Sequence, residues 1–529
     1  MGWYEVSGKG RPGTHPAGHD EQGVIKKDWG GRLPVAVIYP NSYFIGMSNL
    51  GIHTVYSLAN AYGDVVCERI FFDDPPHLSI ESRRPPEDFA VLAFSISYEL
   101  DYFNVIRFLK ESGIPTYAAE RDGRHPLVIA GGACVTANPA PLLPFFDCFC
   151  IGEAEPIIPD ILPVLRGAGS REETLKALAG LPGLLVPGRQ NDTTRVGRRW
   201  QKRLDDFLAG TAVFTEDTEL GDMFLMEVER GCSWGCRFCL VSGSFCPIRF
   251  HSIERLIEKA EKGLMFRKRI GLVGPVVSDH PHIEELLARL RGMGAGLSVS
   301  SMRVKPISTA VIKELVAGGG RSLSLAPEAG SDRLRSVINK NISGDDILHA
   351  VSLAAGKGIR QLKLYFMVGL PTETDEDIEE MARLVLRCKD EADKAGRGSR
   401  LAINAAVFIP KAGTPFQWLP MTEIPVLERR LNVLKKRLAP KGIKVKSESP
   451  AWSHIQGALS RGDSRLAVIL AGAEKVSLAD WGRAISKAGM DIRHYTTEKW
   501  DAAQPLPWDM IDLGVPKEHL VKELGKALS

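Results

Sequence analysis

The sequence predicts an α/β protein: two successive runs of βα units, then a small, mainly helical C-terminal region. Three observations predict it. Short apolar runs alternate with helical patterns from Val35 to Glu153. The same rhythm resumes near Thr215 and continues to about 410, with six strand-like runs. Strand–helix–strand at this spacing means parallel units. Directly after the first strand of the second run, Cys232, Cys236 and Cys239 form a Cys-x3-Cys-x2-Cys array. The thiols thus sit on a loop past a strand end, where α/β folds keep their chemistry.

Composition narrows the class. A chain of 529 residues, 44% apolar and 25% charged, has room for two or three globular domains. The net charge of +3 selects no class of charged partner. No run approaches the about 18 apolar residues of a membrane span, and the start, Met-Gly-Trp-Tyr-Glu, lacks an apolar signal core. Nine cysteines are an odd number, not laid out as a disulfide framework. The expected location is the reducing cytoplasm, with no membrane partner.

Residues 1–30, rich in Gly, Pro and His without periodicity, read as a loosely draped arm. The first domain is expected over 31–165. Its strands are Val35–Tyr39, Val65–Ile70, Ala90–Ser97, Pro115–Ala118, Pro126–Ala130 and Phe146–Cys150, with helices over 51–61 and 102–112. Small residues close several strands: Ser95, Ser97, Gly131, Gly132 and Gly152. They form a shallow platform at the carboxyl ends, where such sheets bind large ligands. A connector over 166–214 carries a basic run, Arg195–Arg203, around Trp200. Basic plus aromatic residues suit RNA; a solvated linker is the plainer reading, and nucleic acid is not the expected partner.

The second domain is expected over 215–440, with strands at 223–228, 269–274, 296–300, 322–326, 361–368 and 401–408. Ser252 can cap a helix whose apolar face is Ile253, Leu256, Ile257, Ala260 and Leu264. Soft thiolates select zinc or iron–sulfur clusters. A closed zinc site wants four ligands, and Cys246 is available as a fourth. Three thiolates on a [4Fe–4S] cube would leave one iron open, and Phe238 supplies an apolar shield beside the third cysteine.

The array, with its aromatic residue before the last cysteine, resembles the signature of the radical SAM superfamily. The resemblance implies a [4Fe–4S] cluster on Cys232, Cys236 and Cys239. It implies S-adenosylmethionine bound through its amino and carboxylate groups to the open iron, and one-electron cleavage to a 5′-deoxyadenosyl radical. An electron donor such as flavodoxin or ferredoxin is then the expected partner. It also implies that the six βα units make a partial (β/α)6 barrel. Residues 31–165 resemble the Rossmann-like cobalamin-binding module that precedes this core in one class, through Ile129-Ala-Gly-Gly-Ala and Cys150-Ile-Gly-Glu-Ala-Glu. Ser95, Ser97, Gly131, Gly132 and Gly152 would face that cofactor. The Asp-x-His-x-x-Gly motif that brings a histidine to cobalt is missing. His53, in Gly-Ile-His-Thr, reads as a helix-surface or core histidine rather than a ligand, and cobalamin stays an open third cofactor.

For S-adenosylmethionine the resemblance points to the strand ends. Gly274 stands where members let backbone meet the methionine amino group, although the fuller Gly-Gly-Glu is missing. Ser300, Ser301 and Arg303 close the third strand, and Arg303 can pair with the methionine carboxylate. Glu328, in Ala-Pro-Glu-Ala-Gly-Ser, can accept from ribose hydroxyls or the ammonium, while Ser331 caps the next helix. Gly369 ends the fifth strand, which lies against adenine in the superfamily. The following Pro-Thr-Glu-Thr has Thr372 where glycine is usual, and Thr374 with Asp377 can cap a helix. Phe416 and Trp418, after the sixth strand, can line a substrate pocket or a core. From 441 a short strand and helices follow, with no second cysteine cluster.

The function expected is radical chemistry on an unactivated carbon, with cobalamin-dependent C-methylation as one form. A cobalamin-independent reaction such as methylthiolation or rearrangement is the alternative. Cys134, Cys148 and Cys150 are the cysteines open to a second cluster there, though their strands favour core packing. From another class, a zinc-holding nucleic-acid-binding protein also fits three or four thiols. The sequence has no motif that names the substrate.

Overall fold

The computed structural model describes residues 19–73, 75–167, 169–190, 195–300, 302–395 and 398–529. Its N-terminal sheet consists of β1 (Leu33–Tyr39), β2 (Val65–Phe71), β3 (Val91–Ser95), β4 (Leu127–Gly131), β5 (Cys148–Cys150) and β6 (Leu184–Leu185). The order is β2-β1-β3-β4-β5-β6, parallel except for the antiparallel β6. This is the doubly wound arrangement, with the carboxyl ends of β1 and β3–β5 along one edge. Every residue of β2 is buried, as expected where both faces of a sheet are covered.

Two details depart from the sequence reading. Pro115–Ala118 forms no strand; Ala118–Glu120 is a 3-10 turn. Pro115 has no N–H for a ladder, and Arg121 donates to the carbonyls of Pro115 and Thr116, folding the segment on itself. The arm is fixed from residue 19 onward: Glu21 pairs at 2.7 Å with the fully buried Arg69, and Gln22 bridges to Phe214. Residues 1–18 of the expected arm lie outside the described residues.

The second unit holds two parallel sheets. One is β7 (Phe224–Glu227), β8 (Arg269–Val273) and β9 (Gly296–Val299), in the order β9-β8-β7. The other is β10 (Ser322–Glu328), β11 (Gln361–Val368), β12 (Arg400–Val407) and β13 (Lys444–Ser447) in sequential order. Six of these strands were expected in the barrel. The seventh, β13, pairs Lys444–Ser447 with Ala402–Ala405 and extends the sheet. Along β11 alternate residues are buried, while Gln361, Lys363 and Tyr365 stay accessible. One face packs on helices and the other is left open, the geometry of a partial barrel. No hydrogen bonds join β9 to β10 among the described residues.

The caps follow the sequence. Thr374 and Asp377 form a full capping box on Asp375–Lys394, and Ser331 caps Asp332–Val337. Ser252 sits at the cap position of Ile253–Leu264 without a side-chain cap bond; Asp205 accepts its N–H instead. The C-terminal region shares the core of the N-terminal sheet. Trp481 packs edge-on against Phe103, and Trp500 and Trp508 join the same cluster. Trp418 lies in this cluster and Phe416 in another, both fully buried, so they are core residues rather than pocket lining. No helix among the described residues is long and apolar enough to cross a membrane.

Candidate functional site

The cysteine loop leaves β7 and is pinned at once. Glu229–Arg230 pairs antiparallel with Arg249–Phe250. Gly231 has φ 86°, and a Cβ there would lie 2.3 Å from the Phe245 carbonyl oxygen, so only glycine fits. Gly235 is also left-handed, with φ 64°. Between these turns the chain wraps so that Cys232, Cys236 and Cys239 act electrostatically on one another. Burial pushes the Cys232 thiol up and the Cys236 thiol up to about 12. Cys246 does not join them: its thiol donates to the carbonyls of Cys232 (3.0 Å) and Ser242 (2.9 Å) and braces the loop from behind.

Two groups on neighbouring strand ends reach the loop. The Arg303 guanidinium, after β9, lies 3.0 Å over the ring of Trp234, whose indole donates to Asp279. Arg303 Nη1 is buried without a hydrogen bond, although the carboxylate of Asp279 lies 3.7 Å from it as an ion-pair partner. Glu328, the last residue of β10, is left-handed at φ 68°, an uncommon state for a non-glycine residue. Burial raises its carboxyl, and its partner is Lys340, 3.4 Å away. Glu328 is thus a left-handed, partly buried carboxylate with Lys340 as its ion-pair partner.

The other predicted residues fall as follows. Gly274 ends β8, but its small size serves the chain: a Cβ would lie 2.5 Å from the Glu229 side chain. Glu229 is buried, accepts from Val276 N–H, keeps Oε2 unpartnered, and is raised to about 8 by burial. Sequence reasoning missed it, although a carboxylate three residues before the first cysteine was visible. Ser301 lies outside the described residues; Ser300 Oγ donates to the Gly274 carbonyl. Gly369 is left-handed and donates to Glu373, which Arg430 clamps; Thr372 is left-handed too, as its place in a glycine position requires.

In the N-terminal unit the five small residues share the edge, but not for one purpose. A Cβ on Gly132 would lie 2.4 Å from the Ile96 carbonyl oxygen, and one on Gly152 would lie 2.0 Å from that of Arg199. The chain's own backbone therefore fills those spaces. Ser97 is exposed, Ser95 half-buried, and a Cβ on Gly131 would make ordinary contact at 3.6 Å. Beside Gly152, Glu153 accepts from Arg249 and from Arg230 at 2.8 Å, and Arg230 also pairs with Glu155 and Glu227. This buried network ties the first sheet to the cysteine loop two residues before Cys232. Cys134, Cys148 and Cys150 are raised by burial, Cys150 to about 12, and stay as core thiols. His53 is buried, contacts the Met47 carbonyl at 3.0 Å and is lowered by burial to about 4, a packing role as expected. The basic run is structural: Arg198 donates to the Cys246 carbonyl, Arg199 to that of Pro156, and Trp200 lies under Arg249.

Three thiols are a donor set that zinc or an iron–sulfur cluster can take. Among the described residues no three His, Cys, Asp or Glu side chains converge on a single-ion site. Zinc draws thiolates to about 2.3 Å, whereas a cube bound at three corners needs them set apart. Three soft thiols on one loop, with Arg303 and Lys340 near by, have the number and type of donor that a cube bound at three corners takes. A cavity of about 330 Å³ adjoins Cys236 and Cys239 on the side of the last helix, Lys517–Leu528, lined also by Ser242, Gly413 and His519.

Comparison with known proteins agrees with this layout. Residues 51–187 match the family described as "Radical SAM proteins, N-terminal", and residues 226–385 match the "Radical SAM superfamily". An uncharacterised protein of Methanocaldococcus jannaschii is 32% identical over 441 residues, 82% of this chain and 90% of its own. An uncharacterised methyltransferase of Pyrococcus horikoshii is 30% identical over 158 residues, 28% of this chain and 34% of that one. Among solved structures, the cobalamin-dependent S-adenosylmethionine radical enzyme OxsB with aqua-cobalamin bound aligns with a TM-score of 0.51. It does so at 11% identity, over 94% of this chain and 79% of that one, a likeness of fold.

Proposed function

Since this chain belongs to the radical SAM superfamily, we propose that Cys232, Cys236 and Cys239 hold a [4Fe–4S] cluster and that Arg303 and Glu328 orient S-adenosylmethionine beside it. The observation that carries the reading is the convergence at one strand edge of three thiols, the half-satisfied Arg303 and the strained Glu328. When bound, the cluster supplies one electron that splits S-adenosylmethionine into methionine and a 5′-deoxyadenosyl radical, which takes a hydrogen atom from an unactivated carbon.

The chain's own residues do the positioning. Arg303, with Nη1 free of a hydrogen bond, receives the methionine carboxylate. Glu328 accepts from the ammonium or the ribose hydroxyls. Gly369 is buried, with its N–H on Glu373 and its carbonyl accepting from Thr422, so it offers adenine no free backbone group. The open face of β10–β12 admits a substrate, and the electron comes from a one-electron donor of the flavodoxin or ferredoxin class. Anaerobic reconstitution with iron and sulfide, then S-adenosylmethionine and dithionite, tests this. Formation of 5′-deoxyadenosine that vanishes in Cys236→Ala is expected; equal formation in the variant refutes it.

C-methylation with cobalamin is the finer reading. The room left at Ser97 and Gly131, and the fold shared with OxsB, support it. Growth with cobalamin followed by a corrin spectrum tests it: co-purifying corrin supports methyl transfer, and protein that carries cluster iron but no corrin removes cobalamin from the scheme.

A further inference from the structure

The segment after helix Asp332–Val337 lies beneath the cysteine loop and grips both flanks of Cys236. Asn339 is left-handed, φ 58°, a state asparagine tolerates. Its amide donates to the Gly235 carbonyl at 2.9 Å, while the backbone N–H of Arg237 donates to the Ile338 carbonyl at 3.1 Å. The Arg237 side chain closes the clamp on the carbonyls of Ser336 and Val337 and pairs with Glu523 of the last helix. The next residue, Lys340, is thereby fixed against the loop. Its ammonium rests 3.4 Å from Glu328, one residue after the Asn339 amide that holds the Gly235 carbonyl beside Cys236. Glu328 stands at the same strand end, so removing the ammonium would also leave that carboxylate without its ion-pair partner.

We propose that Lys340 sets the reduction potential of the cluster, with Asn339 and Arg237 as the positioning residues that hold its charge beside Cys236; this rests on the function proposed above. The physical reason is Coulombic. An external one-electron donor adds one electron and no proton to the cluster. A fixed positive charge stabilises the reduced form, which is more negative, above the oxidised form. Surrounding charge is among the factors that set cluster potentials.

The test is a redox titration of the reconstituted full-length protein, followed by electron paramagnetic resonance, without S-adenosylmethionine. Lys340→Met should keep its iron and show about a tenfold lower ratio of reduced to oxidised cluster at a fixed potential, about 59 mV for one electron. Lys340→Arg should titrate like the parent. An unchanged potential in Lys340→Met overturns the proposal. A fall only in S-adenosylmethionine affinity would then assign Lys340 to that ligand instead. Should Lys340→Met take up no iron, Lys340→Gln supplies the measurement; loss of iron in both makes Lys340 structural and also overturns it. Parent protein that assembles no cluster refutes the function proposed above, whereas an unchanged potential in a clustered variant refutes only this inference.

Discussion

The two strand-end edges carry the same sequence signal and use it differently. In the N-terminal sheet, Gly132 and Gly152 are glycines because the carbonyls of Ile96 and Arg199 occupy the side-chain space. In the barrel, the edge carries strain and an unsatisfied carboxylate oxygen. Glu328 and Thr372 are left-handed, and Glu229 Oε2 is buried without a hydrogen bond, while Arg303 Nη1 has the Asp279 carboxylate 3.7 Å away as its ion-pair partner. A small residue at a strand end is thus no mark of a ligand where the protein's own atoms fill the gap, as they also do at Gly274 and Gly369. Unsatisfied polar groups mark one more directly, since each costs free energy unless something pairs it.

The largest effect that can break the comparison is at the cysteines. Alanine at Cys232, Cys236 or Cys239 should abolish cluster iron after reconstitution, while serine at Cys150 should leave iron and sulfide content unchanged. A Cys150 variant that loses iron would move cluster chemistry to the N-terminal edge. Next comes the joint between the edges. Glu153→Ala leaves Arg230 and Arg249 buried without their shared carboxylate, at a cost of about 3–5 kcal/mol. Urea unfolding would read this, and a change within error would make the network ornamental.

His53 gives a pH test of the packing role. It is lowered by burial to about 4 in the fold, against about 6.5 unfolded, so the fold favours the neutral ring. Its contribution is therefore complete above the unfolded value and is lost as pH falls from about 6.5 toward 4, up to about 3 kcal/mol. Urea midpoints across that range should fall in the parent and fall less in His53→Gln; parallel curves contradict the packing role.

The smallest effects sharpen the contrast most. Gly152→Ala should cost about 1–3 kcal/mol, because the backbone of Arg199 cannot yield. Gly131→Ala should cost about 0.5 kcal/mol or less, since its Cβ meets only ordinary contact. Equal costs for the two would show that the glycines along this edge do not divide as described.

Much of this was legible in the sequence. The βα rhythm, the strand ends and the Cys-x3-Cys-x2-Cys loop follow from local pattern, and local pattern survives folding. The capping box at Thr374 was readable because it concerns near neighbours, whereas the left-handed state of Thr372 emerged only from the backbone. The clamp of Asn339 and Arg237 was not readable, since its hydrogen bonds join residues about a hundred positions apart. The burial of Phe416 and Trp418, the use of Arg198 as a brace, and the addition of β13 to the barrel depend on distant packing partners in the same way. At Pro115 a local rule was available, since proline cannot serve a ladder, and the apolar run outweighed it.

The central claim is that the three-cysteine loop holds an iron–sulfur cluster that is open to S-adenosylmethionine. Its most direct test is metal and sulfide analysis of anaerobically reconstituted protein, with electron paramagnetic resonance of the dithionite-reduced form before and after S-adenosylmethionine is added. About four iron and four sulfide per chain, with a reduced-cluster signal that changes on adding S-adenosylmethionine, is the result predicted. A colourless protein holding one zinc, or a cluster whose signal ignores S-adenosylmethionine, would contradict it.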